Sequence, residues 1–166
     1  MQSETCAYAL LAGLALALVI AAATDLKRRE IDNWLNTAVA LGAPLYWLAS
    51  GYGPTQVLLQ LALAVAVLGL FAALFQAGAM GGGDAKLLTA LALWVQPAGF
   101  ARLVVLMSLA GGVLTLGCML AHRLQHRSGA PAVPYGVAIA AAGLWTLASH
   151  HLPALRDAPA AWSTGW

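Results

Sequence analysis

Two carboxylates stand where an ionised group is costly. Asp25 closes an apolar stretch, and Asp84 follows another inside Met80-Gly81-Gly82-Gly83-Asp84-Ala85-Lys86-Leu87. A carboxyl at the edge of hydrocarbon marks a functional site by default. Two such groups in one low-dielectric site do not both ionise readily, so they share a proton and titrate as a pair. An acid then lies beside a base. The ionised member can draw a proton from water while the protonated member polarises a peptide carbonyl, as in aspartic proteases. That chemistry calls for no metal, no organic cofactor and no nucleophilic side chain. The glycines before Asp84 permit positive φ and close backbone approach. An opened substrate strand could lie against that turn.

The elements that position these residues follow from composition. Of 166 residues, 61% are hydrophobic and only 8% charged, too few polar side chains to cover a soluble globule of this size. Lipid must supply part of the cover, and helices are the spanning form that satisfies its own backbone. The predicted fold is all-α: a polytopic membrane protein of about six transmembrane helices in one bundle, a single domain over 1–166. The helices are expected near 6–24, 34–49, 55–77, 84–96, 101–121 and 134–148, with 153–166 a loosely ordered tail. Pro97 and Gly99 are read as the stop of the fourth. No basic residue precedes the first apolar run, so it reads as a retained transmembrane helix rather than a signal peptide.

Charge sets the expected orientation. Lys27, Arg28, Arg29, Lys86, Arg123 and Arg127 fall in alternate loops, against Arg102 and Arg156 on the other side. The positive-inside rule then puts the N-terminus outside and both aspartates at the cytoplasmic face. Trp34, Trp47, Trp94 and Trp145, near segment ends, are expected as interfacial anchors. The net charge of +2 is small and dispersed, which gives nucleic-acid binding no support. Cys6 and Cys118 form no CxxC pair and read as small apolar packers.

Three motifs in order, over roughly 25–143, resemble the type IV prepilin peptidase family. Gly81-x-Gly83-Asp84 looks like the GxGD motif, extended by Ala85-Lys86-Leu87. Asp25-Leu26-Lys27-Arg28-Arg29-Glu30-Ile31-Asp32-Asn33 is similar to the family's Asp followed by Arg, Ile and Asn. Pro134-Tyr135-Gly136 resembles its Pro-Tyr-Gly signature at the last helix. The resemblance implies catalytic Asp25 and Asp84, with Gly81, Gly83, Lys86, Arg29, Asn33, Asp32, Pro134, Tyr135 and Gly136 binding substrate or supporting the site. It implies cleavage of a short basic leader from prepilins and pseudopilins at the cytoplasmic face of a bacterial inner membrane, with pilus assembly machinery as a further partner beside the bilayer. Asp32 stands where relatives often carry proline and adds a third acid. The CxxC-bearing cytosolic domain of longer, bifunctional members is absent, so N-methyltransferase activity is not expected. The short form looks like the prepilin peptidases of Tad/Flp pilus systems.

Plainer readings stand beside these. Asp25 alone could mark a helix end, Asp84 could cap the fourth helix, and Asp32 and Glu30 could be solvated loop acids. Capping would make Asp84 the ionised partner. His122 and His126, at i and i+4, lack an evident third metal ligand, and Gly111-Gly112 read as helix-packing contacts. The rival function is an ion- or proton-coupled transporter or channel using Asp25 and Asp84, although transport sites tend toward the midplane; a structural assembly subunit is a third.

Overall fold

The computed structural model describes residues 2–124 and 133–156, with side chains given for 3–124 and 133–149. Six helices run through them: α1 (Gln2–Arg28), α2 (Asn33–Ala49), α3 (Pro54–Gln76), α4 (Gly82–Ala92), α5 (Pro97–Leu124) and α6 (Tyr135–Arg156). No strand occurs among the described residues, and the all-α membrane fold expected from composition is the fold observed. α1, α3 and α5 are long and apolar enough to cross a bilayer, and α6 contributes a shorter apolar stretch, Tyr135–Ser149. At 11 residues, α4 is only about 16 Å long.

The loops end helices by identifiable means. After α2, Gly51 takes φ 68, and the N–H groups of Gly51 and Tyr52 bond to the carbonyls of Leu48 and Trp47 at 3.3 and 2.9 Å. After α3, Gly78 at φ 73 repeats the pattern, with Gly78 and Ala79 donating to Phe75 and Leu74 at 2.9 Å each. Both are left-handed turns that glycine makes without steric cost. α3 starts on Pro54, behind an N-cap Gly53 whose N–H bonds Gln56 Oε1 at 2.9 Å; proline at the first helical position forfeits no helical bond.

The same rule corrects the fourth helix. It was expected to run to Gln96 and stop at Pro97. Instead α4 ends at Ala92, and Pro97 opens α5. The carbonyl of Leu93, just past the end of α4, accepts bonds from Trp47 Nε1 at 2.8 Å and Gln60 Nε2 at 3.3 Å. Trp94 swings into the core, its Nε1 donating to the carbonyl of Val39 at 2.8 Å. Side chains from α2 and α3 therefore satisfy backbone groups that further helix would have used. Trp47 and Trp94 are buried, not interfacial, while Trp34 and Trp145 are exposed. Residues 153–156, expected in the loose tail, continue α6; 157–166 lie outside the described residues.

In the bundle, α1 packs between α2 and α6, α6 also meets α5, and α4 lies against α3 and α2. Leu87, Leu88 and Leu91 of α4 join Leu18, Leu103 and Ile139 as the most deeply buried side chains. Around this core, α3 and α5 turn outward rows such as Leu58, Val65, Leu70 and Leu109, Val113, Leu116. Continuous apolar faces of this kind suit a lipid solvent. Cys6, expected to pack inside, is exposed on this outer surface, and Cys118 is half-buried.

Candidate active site

Asp25 lies in the last full turn of α1 and is 6% exposed. The first turn of α6 presses against it. A Cβ built on Gly136 would stand 2.8 Å from Asp25 Oδ2 and 3.0 Å from Asp25 Cβ, so no side chain fits there. The backbone N–H groups of Gly136 and Val137 are directed at the carboxylate. Both belong to the first turn of a helix, a natural seat for an anion, and the Val137 N–H also donates to the Pro134 carbonyl at 3.3 Å. Oδ2 is itself buried with no hydrogen-bond partner.

Arg29 closes α1 in the left-handed region, φ 56, its N–H bonded to the carbonyl of Asp25 at 2.8 Å. Among the described residues it is the single non-glycine with positive φ. That conformation costs a branched or long residue about 1 kcal/mol or more. The strained turn holds Arg29 within electrostatic reach of Asp25.

Asp84 is not the N-cap of α4. Gly81 takes that position at φ −72, ψ 142, and Asp84 falls in the first helical turn. Its carboxylate folds back toward Gly81, where a built Cβ would meet Oδ2 at 2.9 Å. Gly83 lies against the chain at Ile31; a Cβ there would be 3.2 Å from Ile31 Cβ and 3.4 Å from its backbone N and O. None of Gly81, Gly82 or Gly83 has positive φ, contrary to one of the two uses expected of them. Close approach is the use that remains. Asp84 lies within electrostatic reach of Asp25, so α1 and α4 deliver their carboxylates to one end of the bundle. Backbone N–H groups are directed at Asp25 rather than Asp84, so the capping argument for Asp84 as the ionised partner does not hold.

The loop between α1 and α2 is tied to the glycine turn by polar contacts. Lys86 Nζ donates to Asn33 Oδ1 at 2.7 Å, and Asn36 Nδ2 donates to the carbonyl of Gly83 at 3.3 Å. Asp32 is the N-cap of α2, its carbonyl accepting from the N–H groups of Leu35 and Asn36. Its carboxylate pairs with Arg28 Nη2 at 2.6 Å. Tyr135 faces α5: its ring fills the space a Cβ on Gly111 would take, 2.8 Å away, and its hydroxyl lies 3.5 Å from Thr115 Oγ1. A Cβ built on Gly112 would meet nothing within 4 Å, so Gly111 is the member of that pair with another element close against it. Pro134 directly precedes α6.

Sequence reasoning passed over Asn36. It is 4% exposed, and its Oδ1 is buried without a donor, an arrangement that costs about 1–3 kcal/mol. The available signal was a second amide one turn after Asn33 within an apolar segment. His122 Nε2 is likewise buried and unpartnered, but His126 and Arg127 lie outside the described residues, as do the side chains of His150, His151 and Arg156. No group of three or more metal-ligating side chains occurs among the described residues.

The model of the type IV leader peptidase family matches residues 12–116. The chain belongs to the type IV leader peptidase family. Membership makes it a membrane peptidase, in keeping with its long apolar helices. No curated protein and no solved structure matches it. The leader peptidase match takes in Asp25, the Arg28–Asn36 segment and the glycine turn with Asp84, and stops short of α6. The contact of Gly136 with Asp25 therefore rests on geometry alone.

Proposed function

We propose that this leader peptidase is a GxGD-type aspartyl endopeptidase whose catalytic pair is Asp25 and Asp84. The reading is supported by two membrane-edge carboxylates that lie within electrostatic reach of each other, each with a glycine close against it. One carboxylate takes a proton from water, and the oxygen attacks the scissile carbonyl. The other, protonated, donates to the carbonyl oxygen, and a proton passes to the departing amine as the peptide bond breaks. Gly81, Gly83, Asn33 and Lys86 set the turn that carries Asp84. Arg29, Gly136 and the Pro134-Tyr135 entry to α6 set the surroundings of Asp25.

The proposed substrates are prepilins and pseudopilins, cut at the end of a short basic leader ahead of an apolar helix. Asp25, Asp84, Glu30 and Asp32 supply negative charge for that leader. The proposed site is at the cytoplasmic face of a bacterial inner membrane, with the N-terminus outside, a reading supported by the basic residues near the aspartates. The proposed setting is a Tad/Flp-type pilus system.

Co-expression with a Flp-type prepilin tests this directly, with leader removal followed by gel shift. Wild type should cleave, while Asp25→Asn and Asp84→Asn should not, despite normal insertion. Asp32→Asn should keep most activity, since its partner is Arg28. Normal cleavage by either of the first two variants would remove the aspartate pair from the mechanism.

A further inference from the structure

We propose that Asn36 is a positioning residue for Asp84, an inference that rests on the two-aspartate reading. Asn33 and Asn36 are three residues apart on α2 and so share a face. That face grips the glycine turn on both sides of Asp84, through Lys86 at 2.7 Å and the Gly83 carbonyl at 3.3 Å. The second contact falls at a decisive place. The carbonyl of Gly83 and the N–H of Asp84 belong to one planar peptide unit, so holding that oxygen fixes the plane from which the Asp84 side chain departs. Gly82 and Gly83 have no side chains to hold the first turn of α4 in place, and Asn36 restrains it from a neighbouring helix.

Packing does not account for an asparagine here. A carbonyl accepts only from Nδ2, which fixes the orientation of the amide and leaves Oδ1 facing away. That oxygen is buried with no donor. A leucine would keep the branched outline without the unsatisfied oxygen. The unpaired atom is the cost of having the N–H that reaches Gly83.

Stability and catalysis should therefore respond in opposite directions. In purified enzyme reconstituted in lipid nanodiscs, with a synthetic leader substrate, Asn36→Leu should unfold at the same temperature as wild type or higher. Its kcat should fall by about tenfold to a hundredfold, because displacing a reacting group by a fraction of an ångström carries penalties of that order. KM should stay within about twofold, since Asn36 is buried and bonds the turn itself, not the leader. Asn36→Asp, of nearly the same shape, turns an oxygen toward the Gly83 carbonyl and should lose kcat similarly. Wild-type kcat in either variant overturns the inference, as does a raised KM at constant kcat. Failure of both variants to accumulate as folded protein overturns it too, since Asn36 would then serve packing. Absence of cleavage by wild type itself would instead sink the two-aspartate reading, so the two failures are distinguishable.

Discussion

Lys86 Nζ and Asn33 Oδ1 meet at 2.7 Å, joining the turn that bears Asp84 to the start of α2. Lys86 is exposed, so this contact adds little to global stability. Lys86→Met should change the unfolding free energy by less than about 0.5 kcal/mol and still slow leader cleavage severalfold. Thermal unfolding and cleavage rate measured on one preparation check the pairing. Equal rates for the two proteins would show that the contact is incidental.

Gly136 and Asp25 make a different kind of pair, one of shape. Gly136→Ala should destabilise by about 1–3 kcal/mol, the usual cost of forcing atoms into a filled space, and should abolish cleavage. The cost should shrink when Asp25→Gly empties the opposing side, because the clash is mutual. A double-mutant cycle on unfolding measures this; additive effects would mean that the methyl meets something other than Asp25.

Gly81 and Gly82 should separate in function although they are adjacent. A methyl on Gly81 meets the end of the Asp84 side chain, and a methyl on Gly82 meets the Phe75 ring at 3.2 Å. Gly81→Ala should therefore leave folding largely intact and depress kcat strongly by turning the carboxylate. Gly82→Ala asks only for a shift of an exposed ring and should retain most activity. The reverse ranking in a cleavage assay would contradict the contacts seen here.

Arg29→Gly sets backbone against charge. Glycine relieves about 1 kcal/mol of left-handed strain, so the variant should unfold no earlier than wild type. It also removes a cation within reach of Asp25 and should cleave more slowly. Unchanged cleavage would assign Arg29 and its turn no part in the reaction.

Helix content and the two aspartates were legible in the sequence because they rest on local signals, namely apolar run length and carboxylates at run ends. The end of α4 was not, because Trp47 and Gln60 cap it from other helices and Pro97 can start a helix as readily as stop one. Trp94 illustrates the same limit. Its position near a segment end suggests an anchor, yet the space above Gly42, 2.8 Å from a built Cβ, lets the ring enter the core beside Tyr46. Asn36 was passed over for a related reason: an amide one turn after Asn33 hints at a polar role, but its partner is a carbonyl 47 positions away.

The clasp between Asp25 and Gly136 joins the first described helix to the last. A growing chain that has threaded α1 through α5 already carries both aspartates, but nothing yet stands where α6 will press. Completion of the proposed catalytic centre is thus tied to a late step of biogenesis, the insertion of α6. A product that stops before α6 would carry both carboxylates without the backbone that closes over Asp25.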